Sequence, residues 1–377
     1  NNDTPEVGAL ASECYHTYDV VIVGAGIIGL SIARHFLLHS RLSVAIVDAS
    51  TPLSSGATGA GQGYLCMIHK TPGTALWDLA KRSQQLWQMF VDNLQDQGIS
   101  PLQSVGWKKT GSVLVGRTKE ETEQLKIRVH QLSNAGLRAE YWSSSNLRLK
   151  EPELTVGPEG CAAFLPDDAQ IEVHSAVALI EKDNIHFIPH NRYAEFYNDP
   201  AVCLMRSSKD GKVDAVKTNN NNILHAKEAV VIAAGSWTGS LMHNLARDLD
   251  VTINVPVQPR KGYLLVFENI KSNLRLNHAT MEAGYVNYQR TSTENSSKST
   301  DISMTATIDA KGNLLVVPDG KPVIGPIPSM PNVYLATGHE GGGISMALGT
   351  AELIADMVLG NSLKLDPTPF AVEGRCC

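Results

Sequence analysis

The chain lacks several patterns, and each absence narrows what it can be. None of its six cysteines forms a CxxC pair, which argues against a zinc site. No apolar run is long enough to span a bilayer. The longest, residues 20–30, carries three glycines and reads as strand, turn and helix start. There is no excess of positive charge: the formal net charge is −6, so nothing draws nucleic acid or an anionic membrane over a broad surface. No internal repeat is present, and Cys376-Cys377 lacks the C-a-a-X form of a prenylated terminus. The first residue is Asn1, not Met, which fits a removed targeting peptide or a trimmed chain. Scattered cysteines suit reduced thiols in a soluble intracellular protein, and a removed transit peptide would suit a plastid or other organelle.

What is present is an ordinary globular composition, 43% hydrophobic and 19% charged over 377 residues, enough for two packed units. Residues 18–23 (YDVVIV) are a β-branched run suited to a buried parallel strand. Gly24, Gly26 and Gly29 follow in a GxGxxG pattern and open a helical stretch through residue 38. Gly24 permits the tight turn, Gly26 lets backbone approach a pyrophosphate, and Gly29 with Ala33 lets helix and strand pack closely. The amides of Ile27 and Ile28 stand at the helix N-terminus, where free N–H groups and the dipole favour an anion. A second strand, residues 42–47, ends at Asp48, nineteen residues after Gly29. That spacing suits a carboxylate accepting ribose hydroxyls, with Ala49 beside it, and disfavours a 2′-phosphate.

The glycine pattern does not separate FAD from NAD. Residues 54–63 (SSGATGAGQG) are rich in small and hydroxyl side chains. Such a segment can run extended beneath a large flat cofactor, with Ser55, Ala57, Thr58, Gly61 and Gln62 in reach of it. A second cluster, Gly338, His339, Gly341, Gly342 and Gly343, precedes an apolar-periodic helix that starts at Ile344. A glycine-bounded helix start again suits an anion. The strand-like run at residues 230–234 ends in Ala234 and Gly235, followed by Trp237, where backbone can approach the cofactor.

These segments, with PVQPRKG at 256–262 and PDGKPVIG at 318–325, resemble the amine-oxidising branch of FAD proteins. That branch holds D-amino acid oxidase, glycine oxidase and monomeric sarcosine oxidase, and the sequence is most similar to plant or cyanobacterial-type members. The resemblance implies an α/β fold: a Rossmann-like FAD domain of the glutathione-reductase type, plus a smaller mixed-sheet substrate domain. The FAD domain is expected over 17–75, 150–245 and 316–370. The substrate domain is expected over 76–149 and 246–315, and residues 1–16 as a flexible extension. The implied reaction takes the Cα–H of a primary or secondary amine, such as an amino acid, as hydride to flavin N5. Hydrolysis of the imine and reoxidation by O2 to H2O2 follow. FAD would be noncovalent, because no cysteine lies between Cys203 and Cys376. A dehydrogenase using a quinone or protein acceptor, or an impaired flavin-binding scaffold, are the alternatives.

No acid–base residue is required if the amine arrives neutral. His339 and Tyr285 are nonetheless candidates at the reacting end, and Arg260 and Tyr285 for substrate. A hydrogen-bonded structural His339, solvated Arg260 and Lys261, and core-packed Tyr285 and Tyr288 are the competing readings. Two segments depart from the family pattern. Leu314 and Leu315 stand where relatives place an Arg-Pro pair, and the run into Pro318 reads as internally shortened. Residues 171–187 lack the Asp-Pro-led helix start of relatives.

Overall fold

The structure is a computed structural model that describes residues 12–50, 55–246, 253–255, 257, 266, 276–284, 305–308, 314–315 and 322–373. In chain order its elements are β1 (Cys14–Val23), α1 (Ile27–His39), β2 (Val44–Val47), β3 (Tyr64–Leu65), α2 (Ala75–Asp96), α3 (Pro101–Val105), β4 (Ser112–Gly116), α4 (Lys119–Asn134), β5 (Glu140–Trp142), α5 (Ser144–Lys150), β6 (Cys161–Leu165), β7 (Ala169–Gln170), α6 (Val173–Ile185) and β8 (Tyr193–Phe196). They continue as β9 (Ala201–Arg206), β10 (Val213–Thr218), β11 (Asn222–Ile232), α7 (Thr238–Leu245), β12 (Ala279–Glu282), β13 (Thr305–Ile308), β14 (Leu314–Leu315), β15 (Val323–Ile327), β16 (Met330–Thr337) and α8 (Gly343–Leu359).

The larger sheet runs β15-β16-β11-β1-β2-β8. Its centre, from β16 to β8, is parallel, and β15 closes one edge antiparallel. Side chains alternate across a strand, and β1 divides accordingly. Val20 and Ile22 face a core made with α1, α2, α6 and α8. Val21 and Val23 face the other side, with Val230, Ile232, Val333, Leu335 and the α7 residues Met242 and Leu245. Burial on both faces explains why these strands read as unbroken apolar runs rather than alternating ones.

The smaller sheet runs β14-β13-β12-β4-β6-β5. It is mixed: β12 lies parallel to β4, and its other pairings are antiparallel. Every residue of β4 is buried, with Val113 and Val115 packed against Trp142, Leu147 and Ala162, and Leu114 turned to the main core.

Three expected boundaries move. β1 starts at Cys14, which pairs with Asn222, so residues 14–16 belong to the sheet and not to an extension. β6 pairs with β4 and β5, so the smaller sheet continues past residue 150 to Leu165. α2, expected in the substrate domain, packs on α8: Trp87 Nε1 donates to the Ile344 carbonyl at 3.0 Å. Its apolar stripe is therefore buried by the nucleotide domain. The departure at residues 171–187 leaves the helix intact. Glu172 caps α6 by accepting the amides of Ser175 at 2.7 Å and His174 at 3.3 Å. Residues 263–265, 267 and 291–300, for which a strand and a Ser/Thr-rich loop are expected, lie outside the described residues, save Val266.

Candidate active site

The turn after β1 is held from both neighbouring strands. Gly24 donates its amide to the Val47 carbonyl at 2.8 Å, and Ala233 donates to that of Val23 at 2.8 Å. Gly24 has φ +115°, and a Cβ there would stand 2.4 Å from the Ala233 oxygen. A Cβ at Gly29 would stand 1.9 Å from the Gly24 oxygen. Only glycine fits at either position.

Neither α1 nor α8 caps itself. The N-cap residues Gly26 and Gly342 have no side chain, and neither first turn holds an acid. At α1, Thr58 from the small-residue loop accepts the Ile27 amide at 3.1 Å. Asp48 accepts the Ala25 amide at 2.6 Å, and the Ser50 amide and hydroxyl at 2.9 and 2.8 Å. A carboxylate offers about four lone-pair sites, and these three bonds leave about one for a ribose hydroxyl. At α8, the loop closes on the helix start: a Cβ at Gly61 would lie 2.4 Å from Ile344 Cδ1.

Both helix starts open into one cavity of about 830 Å³, within the range of small-molecule and cofactor sites. Gly24, Gly26, Ile27, Ile28, Asp48 and Ala49 line one end. Ser55, Ala57, Thr58, Gly61 and Gln62 line the floor, and Ala234, Gly235 and Trp237 a side. Gly338, His339, Gly341, Gly342, Gly343 and Ile344 line the far end. Of the residues singled out in the sequence for the cofactor, Gly29 alone stands behind this wall, packed on the turn. Two helix N-termini whose N-cap residues are glycines without a capping side chain, open to one cavity with Asp48, give a cradle for a dianionic, aromatic ligand. The residues present fit FAD.

His339 is buried, and its Nε2 lies 2.9 Å from Thr350 Oγ1. Burial holds its pKa down to about 4, so the ring is neutral at physiological pH, with one nitrogen engaged by α8. Arg260, Lys261, Tyr285 and Tyr288 lie outside the described residues. Leu314 and Leu315 form β14 and pair with Ile308 and Thr307 of β13, at the edge of the smaller sheet.

Sequence reasoning missed one wall of the cavity. Tyr64, Cys66, His69 and Lys70 on and after β3, and Met281 on β12, also line it. Cys66 Sγ lies 3.4 Å from His69 Nδ1. The available signal was the change after Gly63 from small residues to a run of larger ones, YLCMIHK at 64–70.

A parallel sheet with a glycine turn, an acid-ended second strand and a cavity continuing to a second uncapped helix defines a dinucleotide-binding flavoenzyme. The chain matches the family described as FAD dependent oxidoreductase (DAO) over residues 19–298 and 309–357, and it belongs to that family. It is an FAD-dependent oxidoreductase. The glycine oxidase of Geobacillus kaustophilus (strain HTA426) is 26% identical over 389 residues, covering 95% of this chain and 97% of that one. The glycine oxidase of Pseudomonas putida is 23% identical over 398 residues, covering 94% and 98%. Among solved structures, glycine oxidase from Geobacillus kaustophilus superposes with a TM-score of 0.74 at 20% identity, over 95% of this chain and 99% of that one. L-proline dehydrogenase from P. horikoshii superposes at 0.75 and 16%, over 94% and 97%. Among the described residues, no helix is long and apolar enough to cross a membrane, and no cluster of His, Cys, Asp and Glu could hold a metal.

Proposed function

We propose that this enzyme oxidises a small primary or secondary amine of the amino-acid type, with O2 as the electron acceptor. The observation that carries the reading is the continuity of the cavity. The cradle of Gly24, Asp48 and Thr58 runs without a break into a chamber walled by Tyr64, Cys66, His69, Met281 and Ile344. The nearly full-length similarity to glycine oxidases supports the substrate class.

FAD, when bound, supplies the electron-pair acceptor that the side chains of this protein cannot. The chain's own residues do the rest. Asp48 and the start of α1 anchor the nucleotide end. The uncapped start of α8 directs its amides and positive dipole end into the cavity, favouring negative charge that develops beside it. Met281 and Ile344 exclude water, which strengthens those electrostatics. His339, neutral and tied to Thr350, fixes the turn before α8. The run from β14 in the smaller sheet to β15 in the larger one crosses in seven residues, 316–322, and is the place where this chain reads as shortened.

The test is anaerobic mixing of the purified holoenzyme with a panel of amines and amino acids while flavin absorbance is followed. Bleaching by an amine, with peroxide released on admitting air, is the expected result. Bleaching followed by reoxidation only by a quinone would replace the oxidase with a dehydrogenase. A flavin that no amine bleaches would overturn the reading.

A further inference from the structure

The turn that follows β3 is buried and has two faces. Met67 and Ile68 pack into the main core, whereas Cys66, His69 and Lys70 line the cavity. Lys70 donates its amide to the Met67 carbonyl at 2.9 Å, which closes the turn. Residues 66–70 lie beyond the ladder of β3 with β7, so their main-chain groups need other partners, because a buried amide or carbonyl left alone is costly.

Two charged side chains supply those partners. Asp168, between β6 and β7, is fully buried. It accepts the amides of Met67 at 3.0 Å and Ile68 at 3.3 Å, one on each carboxyl oxygen. Arg128, on α4 and also buried, donates from Nε and Nη2 to the Ile68 carbonyl at 3.1 and 3.0 Å. Its Nη2 also donates to the Lys70 carbonyl at 2.5 Å. The carboxyl group thus holds the amides of the turn, and the guanidinium holds its carbonyls. Both residues belong to the unit of the smaller sheet: α4 packs on β6, and the Asp168 carbonyl accepts the Gly111 amide just before β4 at 3.0 Å. Neither lines the cavity itself.

Burying such groups is costly unless they are fully hydrogen-bonded, and here their bonds go to one turn. A planar guanidinium can fix two carbonyls at once, which a single ammonium does poorly. The side chains on the turn's other face are fixed with it. Cys66 Sγ and His69 Nδ1, 3.4 Å apart, hold together as one polar surface beside Lys70. Met281 and Ile344 across the chamber offer no polar group. Orientation of a polar substrate therefore falls largely to this turn.

We propose that Arg128 and Asp168 are positioning residues for amine oxidation, acting through the turn at 66–70, whose Cys66, His69 and Lys70 orient the substrate. The inference rests on the amine reading above. It assigns the smaller unit a part in the reaction that is separate from holding the cofactor. A shift of about 1 Å in a wall that positions substrate can cost about a hundredfold in rate, so the clamp matters although it touches neither flavin nor substrate.

The experiment compares wild type, Arg128→Lys and Asp168→Asn as holoenzymes. Both substitutions keep side-chain size and some hydrogen bonding. Leu147→Ala serves as the control, because it opens the core of the smaller sheet away from the turn. Three quantities are read: FAD affinity, amide hydrogen exchange over the segment 64–71, and the limiting rate of anaerobic flavin bleaching by an amine. FAD affinity should stay at the wild-type value in both clamp variants. Exchange over 64–71 should quicken by about tenfold or more. The limiting bleaching rate should fall by about ten- to a hundredfold. Leu147→Ala should lower the Tm with wild-type exchange over 64–71 and wild-type bleaching. Unchanged exchange in both clamp variants overturns the clamp. Faster exchange with wild-type bleaching overturns the positioning role, as does an equal loss of bleaching in Leu147→Ala. A wild-type flavin that no amine bleaches overturns the amine reading, and the role in amine oxidation with it, even where exchange responds as expected.

Discussion

The carboxylate of Asp48 accepts the amide of Ala25 at 2.6 Å, so the end of β2 is tied to the turn that follows β1. The acid expected to meet a ribose therefore also shapes the phosphate turn. Asp48→Ala should weaken FAD binding by ten- to a hundredfold or more, since a charged hydrogen bond contributes about 1.5–3 kcal/mol. Titration of apoprotein with FAD, followed by fluorescence quenching, reads this directly. Wild-type affinity in the variant would refute the assignment.

Gly24 and Gly73 separate two meanings of glycine. Both have positive φ, but only Gly24 has backbone atoms where a Cβ would go; nothing lies within 4 Å at Gly73. Gly73→Ala should cost about 1 kcal/mol of backbone strain. Gly24→Ala should cost several times as much and yield colourless protein. Thermal melting and flavin content measured on both variants decide the point, and equal losses would show that the close approach to Ala233 does not matter.

Glu352 on α8 is bound by Arg82 at 2.6 and 2.7 Å and by Lys364 at 2.7 Å. Burial raises its pKa, but these hydrogen bonds outweigh burial and bring it to about 2 from an ordinary 4.5. A lowered folded-state pKa contributes stability that is fully present above about 4.5 and lost as pH falls toward about 2. Arg82→Leu leaves a largely buried carboxylate without its main partner and should destabilise by about 3 kcal/mol. Its acid-unfolding midpoint should lie at higher pH than that of wild type, as circular dichroism would show.

Acid precipitation should leave the flavin in the supernatant. Among the described residues Cys66 is the cysteine on the cavity wall, and it is engaged with His69. Cys66→Ser should retain the same flavin content and release behaviour. A yellow pellet that turns colourless in Cys66→Ser would mean a covalent link.

Leu314 and Leu315, expected from the sequence to stand where relatives carry an Arg-Pro pair, pair with β13 at a sheet edge. Without a bidentate arginine there, a substrate carboxylate loses about 1.5–3 kcal/mol of binding. An amino acid should therefore show a KM no lower than that of the amine lacking its carboxylate. Steady-state peroxide release with such pairs is the measurement, and a KM tenfold lower for the amino acid would sink the argument.

The first βαβ unit was legible because each of its constraints is local: the β-branched run, GxGxxG and the acid at Asp48 lie within about thirty residues. The start of α4 obeys the same local logic, with Thr118 and Glu121 three residues apart forming a capping box. Expectations failed where distant partners decide. β11 begins at Asn222, eight residues before the apolar run suggests, because its first half, with Asn222, His225 and Lys227 interrupting the apolar residues, pairs with β1 and β10. β6 joins the smaller sheet through β4 and β5, which no spacing reveals. Asp168 reaches Met67 across about a hundred residues, so the polar wall behind Tyr64 leaves no periodic trace.

The pairing of β1 with β11 joins Cys14 to Asn222 and Val23 to Ile232, residues more than two hundred apart. During synthesis the glycine turn emerges early, yet the backbone that buttresses it, Ala233, comes only after well over half of the chain. The opposite end of the cradle, at the start of α8, follows about a hundred residues later still. A nascent polypeptide therefore cannot hold the flavin, and cofactor capture waits on translation. Contacts of such long sequence separation also make for slow folding.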